Sequence, residues 1–237
     1  MPMGSTISPR LLRIASAFPD PPFEFLQDGQ PTGFDIALTG AICTRLGLTL
    51  ERVPFTGADF NDIFQGLVDG SWDCVASGAT VTPERQERAD FCDPYVVSGQ
   101  SLVACVTRDP GIRSTGDLAG RIIGVQKGNT SEPVAERLKS EGRVAEVRIY
   151  PYHGIEEMLD DVEVGRIAAA MKLAPVTRWL IRTRPTLRIV QEGITKEQLA
   201  LSVRRGNGQL RDSLNHMQAQ LAAEGALAKL VKEWIEP

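Results

Sequence analysis

The feature that most constrains this chain is a repeated alternation of short, β-like apolar runs with segments of helical period. "LLRIAS" has the apolar content of a strand, "FDIALTGAICTRLGL" puts Phe34, Leu38, Ala41, Ile42 and Leu46 on one helical stripe, and "LTLERVPF" returns to a strand. A helix carrying Phe60, Ile63, Phe64 and Leu67 then leads to the strand "DCVASGA". This βαβαβ order is the grammar of a mostly parallel sheet flanked by helices. The second half repeats it with "RIIGVQK", a helix from Ser131, "VRIYPY", a helix over Glu156–Val164, "RIAAAMK" and "LRIVQE". After "ALSVRRG" the chain ends in helices whose apolar positions include Leu210, Leu214, Met217, Leu221, Leu227, Leu230 and Trp234.

At 237 residues the chain can bury a substantial core and fits two lobes of ordinary size. No long linker, low-complexity tract or repeat separates them, so the lobes must be joined by short crossings, placed near Leu102–Thr107 and Gln198–Val203. The first lobe is then discontinuous, residues 1–106 with 198–237, and the second is 107–197. Ligands of open α/β sheets collect at the carboxyl ends of strands, so facing sheet edges predict an interlobe cleft.

The net charge is −4, with Lys and Arg scattered rather than clustered, and no nucleic-acid partner is expected. No apolar run approaches the roughly 20 residues of a membrane helix. "MPMGSTISPR" lacks the apolar centre of a signal peptide and reads as a trimmed start. Cys43, Cys74, Cys92 and Cys105 show no CxxC spacing, and His153 and His216 lie far apart, so neither a metal nor a cofactor is expected. Apolar contexts such as "DCVA" and "LVACV" mark the thiols as small buried hydrophobes, with a disulfide left open.

Chemistry concentrates in "SGATVTPERQERADFCDPY". Thr82 suits a helix N-cap and Pro83 the first helical position, so Arg85 falls in an opening turn whose backbone N–H groups attract anions. A planar guanidinium there can hold a carboxylate through two parallel hydrogen bonds. The alternative is an exposed Arg pairing with Glu84 or Glu87.

With these residues in place the chain resembles the bacterial extracellular solute-binding proteins of the polar amino-acid family. The resemblance runs from "PDPPFEFLQDGQPTGFDIALTGAI" through the TPER corner, "GRIIGVQKGNTSEPVAERL" and "GRIAAAMKLAPVTRWL" to "LAKLVKEWI". It implies the two-lobed type II periplasmic binding fold, a periplasmic or extracellular monomer, and an ABC permease as partner. It also implies a carboxylate-bearing small molecule or amino acid as ligand. By the same resemblance Arg85 clamps the ligand carboxylate, while Ser77, Gly78 and Thr80 offer backbone and hydroxyl groups. Gly128, Asn129 and Thr130 supply amides from the second lobe, and Phe60 stacks over the ligand. An ordinary helix cap is the alternative for the 128–130 loop, and a core role beside Phe64 is the alternative for Phe60.

Two departures matter. Leu173 stands where the family has the Asp that anchors the ligand ammonium, and Asp20 stands where it has an aromatic residue before "PPF". An ammonium beside a leucine would be unpaired and costly. Either Asp20 takes over the anchor, or the ligand lacks an α-amine; Asp20 as a turn residue before two prolines is the remaining reading. A cyclohexadienyl-dehydratase-like enzyme needs a proton-transferring group where Leu173 stands, which only Lys172 beside it could replace. A ligand-sensing receptor domain is the third class.

Overall fold

The computed structural model describes residues 10–236. The chain divides into two compact units, the first holding the chain through Thr56, Asn61–Val97 and the residues from Glu197, the second Gly57–Phe60 and Ser98–Lys196.

The sheet of the first unit has five strands in the spatial order Thr49–Pro54, Leu11–Ser16, Cys74–Val75, Ser202–Arg204, Ala89–Phe91. The first three are parallel. Ser202–Arg204 is antiparallel to both of its neighbours, so four of the five strands share one direction. Helix Phe34–Leu46 buries Phe34, Leu38 and Ile42 at four-residue spacing and ends on Gly47, whose left-handed backbone (φ 64°) lets its N–H meet the carbonyls of Cys43 and Thr44. Helix Gly208–Ala223 starts on the Asn207 side chain, which accepts from the Leu210 N–H, and it buries Leu210, Leu214 and Leu221. Arg45 and Glu224 tie these two helices through a paired contact of 2.5 and 2.9 Å.

The second unit repeats the plan with Glu146–Tyr150, Ile122–Gln126, Ala169–Leu173, Gln100–Cys105 and Leu187–Gln191 in that order. Gln100–Cys105 is the antiparallel strand here. Strand alternation divides its side chains between two cores. Leu102, Ala104, Ile123, Val125, Ala169 and Met171 pack with Ala135 and Leu138 of helix Ser131–Ser140. On the other face Val103, Cys105 and Ala170 pack with Ile155, Met158, Leu159 and Val162 of helix Ile155–Val164.

Two elements differ from the sequence reading. The strand Gln100–Cys105 is wholly buried in the second sheet, so the chain leaves the first unit at Val97, before Leu102–Thr107. The helix drawn through Phe60 and Leu67 is a 3-10 turn, Phe60–Phe64, followed by the short helix Gln65–Asp69. Phe60 itself groups with the second unit, where its N–H donates to the Lys127 carbonyl (3.2 Å), while Ala58 accepts from Tyr152 (2.8 Å). All four cysteines are free and buried. No helix among the described residues is long and apolar enough to cross a membrane.

Candidate functional site

The strand order reverses between Leu11–Ser16 and Cys74–Val75 in the first sheet and between Ile122–Gln126 and Ala169–Leu173 in the second, the switch points at which open α/β sheets bind ligands. The expected site residues fall into two groups, one at the carboxyl ends of these strands in each unit.

In the first unit, the loops after Leu11–Ser16 and Cys74–Val75 are stitched together by Ser16 Oγ, which donates to the Ala76 carbonyl (2.7 Å), and by the Ala17 N–H, which donates to Ser77 Oγ (3.0 Å). Asp20 follows on the first loop with 4% of its surface exposed; its carbonyl closes a turn by accepting from the Phe23 N–H (3.0 Å). Thr82 caps the single helical turn Pro83–Gln86 by accepting from the Arg85 N–H (3.2 Å), as the sequence predicts. Arg85 is 5% exposed, which excludes an exposed helix-start Arg. Its Nε donates to Asn61 Oδ1 (3.1 Å), its Nη1 donates to the Thr80 carbonyl (3.0 Å), and the guanidinium lies 5.5 Å from the centre of the Phe64 ring. A planar cation is thus aimed by an amide oxygen, a backbone carbonyl and an aromatic face.

The polar groups expected to serve a ligand beside it are engaged within the unit. Ser77 Oγ donates to Glu24, Thr80 Oγ1 donates to Glu197 Oε2 (2.6 Å), and the Gly78 N–H donates to Asp35 Oδ2 (2.6 Å). Gly78 has φ 52°, and a Cβ there would lie 2.8 Å from Phe23 Cδ2, so both its conformation and its packing require glycine. Burial pushes the Asp35 carboxyl up to about 7, against the lowering effect of its bonds from Gly78 and Tyr95. Tyr95 donates to the same Oδ2 (3.1 Å) and is itself raised, mainly by burial.

In the second unit, the loop after Ile122–Gln126 turns at Gly128, whose φ is 76°. The Gly128 N–H donates to Glu132 Oε2 (2.7 Å), and Lys127 Nζ meets the other oxygen of Glu132 at 2.8 Å. Asn129 Nδ2 donates to Gln126 Oε1 (3.1 Å), and Gln126 Nε2 donates to the Tyr152 carbonyl. Thr130 makes no side-chain cap for helix Ser131–Ser140; its hydroxyl accepts from Gln100 Nε2 (3.0 Å). The Phe60 ring stacks on Tyr152 with centroids 5.0 Å apart, and Lys172 Nζ lies 5.3 Å from the Tyr152 ring centre. Leu173 is 7% exposed at the end of its strand, and its carbonyl accepts from Thr177 Oγ1 (3.2 Å).

Sequence reasoning missed Glu24, Asp35, Gln100, Gln126, Glu132 and Tyr152. A signal existed for two of them. Glu24 lies between Phe23 and Phe25, and Asp35 between Phe34 and Ile36, so both acids sit inside apolar runs. Among the described residues no cluster of His, Cys, Asp or Glu is arranged to hold a metal ion.

Two α/β units that share one strand order, each with polar loops at its switch point, define the type II periplasmic binding fold. The chain belongs to the bacterial extracellular solute-binding proteins, family 3, whose family model matches residues 12–237. It is 28% identical over 234 residues to the arginine-binding extracellular protein ArtP of Bacillus subtilis, covering 98% of this chain and 88% of that protein. Among solved structures, an ancestral arginine-binding protein bound to arginine is similar at 32% identity and a TM-score of 0.86, with 95% of this chain and 98% of that one covered. An ancestral amino-acid-binding protein, a precursor of cyclohexadienyl dehydratase, is similar at 31% identity and a TM-score of 0.85, covering 95% and 96%. The ABC transporter arginine-binding protein 1 of Escherichia coli is similar at 28% identity over 221 residues, covering 90% of this chain and 86% of that protein.

Proposed function

We propose that this chain is the extracytoplasmic solute-binding protein of an ABC importer, a periplasmic or extracellular monomer that delivers an amino acid or related carboxylate to a membrane permease. The observation that carries this reading is the buried Arg85 guanidinium, aimed by Asn61, Thr80 and Phe64 at the switch point of the first sheet. Arg85 takes the ligand carboxylate. Ser77, Gly78 and Thr80 shape the floor around Arg85, and within the second unit the loop Gly128–Thr130 and the Phe60 ring are the candidate ligand contacts. Leu173 forms an apolar wall. Asp20 receives the ammonium of an amine-bearing ligand, since no proton acceptor stands in the side chain of Leu173. The same lack makes Leu173 unable to transfer a proton, which disfavours the dehydratase-like reading.

Thermal denaturation in the presence of amino acids, their des-amino analogues and their carboxamides tests the class. A ligand that binds only the folded chain raises its apparent stability by mass action. Carboxylates are expected to raise the melting temperature and the matching carboxamides to leave it near the ligand-free value. Equal shifts for both would reject a carboxylate clamp.

A further inference from the structure

We propose that Asp35 is a positioning residue for the ligand loop Ser77–Thr80, holding the Gly78 amide from the core side and thereby setting where Arg85 points. This rests on the carboxylate-binding role proposed for Arg85.

Asp35 is the second residue of helix Phe34–Leu46 and has no exposed surface. Its Oδ2 receives the Gly78 N–H at 2.6 Å and the Tyr95 hydroxyl at 3.1 Å, and its Oδ1 has no hydrogen-bond partner among the described residues. The rings of Phe34 and Tyr95 lie 5.1 Å apart beside it, and Phe23 packs edge-on to Phe34 at 6.4 Å. Of the other deeply buried aspartates, Asp73 is paired with Arg13, and Asp161 with Arg148 and Arg166. Asp35 differs from them, because the contacts of its carboxyl are a loop amide and a phenol.

Burying a carboxyl in an aromatic setting is costly unless its hydrogen bonds repay the lost hydration. What this carboxyl fixes is one turn. Gly78 is held between Asp35 Oδ2 and the Phe23 ring, with its left-handed φ of 52° leaving little room to shift. Two residues further on, the Thr80 carbonyl accepts from Arg85 Nη1 at 3.0 Å. The chain of contacts therefore runs from Asp35 through the Gly78 turn to the Thr80 carbonyl and the guanidinium. Ser77 is braced in the same manner, donating to the fully buried Glu24 and accepting from Ala17. With burial raising its carboxyl to about 7, Asp35 carries a proton for much of its time near neutrality, and asparagine mimics that state while keeping the acceptor oxygen.

Calorimetric titration of the full chain with L-arginine, L-glutamine and glutarate, together with amide hydrogen exchange, tests the assignment. With the tightest-binding probe, folded Asp35→Ala is expected to lose at least tenfold in affinity, and Asp35→Asn to recover most of that loss. The Gly78 amide should exchange at least tenfold faster in Asp35→Ala than in the wild type. Wild-type affinity in a folded Asp35→Ala would overturn the role, as would equal losses in Asp35→Asn and Asp35→Ala. If Asp35→Ala does not fold, the wild type alone decides. Its Gly78 amide should be as protected as the strand Leu11–Ser16, and exchange as fast as at exposed Gly29 would overturn the proposal. Arg85→Ala separates the two readings: unchanged binding there defeats the ligand assignment, whereas lost binding there with intact binding in Asp35→Ala defeats only the role of Asp35. If the wild type binds none of the probes, the ligand reading falls, and amide exchange still decides whether Asp35 holds the loop.

Discussion

Asp35 writes its titration into the stability of the fold. Its carboxyl is raised from 3.8 to about 7, chiefly by burial, so between these values the folded chain binds a proton that the unfolded chain has released. The unfolding free energy contributed by this group is therefore full below about pH 4, falls as pH rises toward 7, and is level above it. Urea denaturation across this range is expected to show wild type losing about 2–5 kcal/mol relative to Asp35→Asn between pH 4 and pH 8. Parallel stability curves for the two proteins would contradict the assignment. Asp20 carries a separate expectation. If it receives a ligand ammonium, Asp20→Asn should weaken amine-bearing ligands by about 1.5–3 kcal/mol, the range of a charged hydrogen bond, and spare des-amino analogues. Equal losses for both ligand types in calorimetry would remove Asp20 from that role. The legibility of single residues followed how local their causes were. The Thr82 cap on Arg85 is four residues of sequence and was readable, whereas the bond from Gly78 to Asp35 spans 43 positions and depends on which loops the sheet brings together.

At the scale of elements, the loop between strand Ile122–Gln126 and helix Ser131–Ser140 is tied down by one side chain. Glu132 accepts from the Gly128 N–H and meets Lys127, so it serves the turn as a reciprocal cap from inside the helix. Glu132→Ala is expected to lower stability by about 0.5–2 kcal/mol, the usual cost of a lost cap, and to weaken ligand binding measured in the same protein. Stability and affinity both unchanged would show that the loop holds its shape without Glu132. This loop also marks where pattern reading stopped. "GNTSEP" has the composition of a helix cap, yet the Thr130 hydroxyl accepts from Gln100 on a different strand, because tertiary partners outrank local capping there. The segment around Phe60 failed for a related reason. Apolar spacing predicts one helix, but Phe60 groups with Tyr152 in the second unit while Phe64 meets Phe91 and Arg85 in the first, and helical periodicity carries no record of such a division.

For the whole molecule, the alternation of strands and helices was enough to read the architecture, because period-2 and period-3.6 patterns report directly which faces are buried. It was not enough to assign the crossing. "LVAC" is apolar throughout and would fit either sheet; pairing with Ala169–Leu173 and Leu187–Gln191 is what puts it in the second. In each sheet the one antiparallel strand, Gln100–Cys105 or Ser202–Arg204, is the strand reached soon after the chain passes between units, and the parallel strands left beside it create the switch points where the polar loops gather. The central claim is that Arg85 at the first of these points holds a ligand carboxylate. It is tested most directly by a thermodynamic cycle in calorimetry, with wild type and Arg85→Ala each titrated with a binding carboxylate and with its carboxamide. The predicted result is a coupling of about 2–5 kcal/mol, with the mutant losing roughly thirtyfold or more for the carboxylate and little for the carboxamide. Equal losses for both forms, or unchanged affinity for the carboxylate, would contradict it.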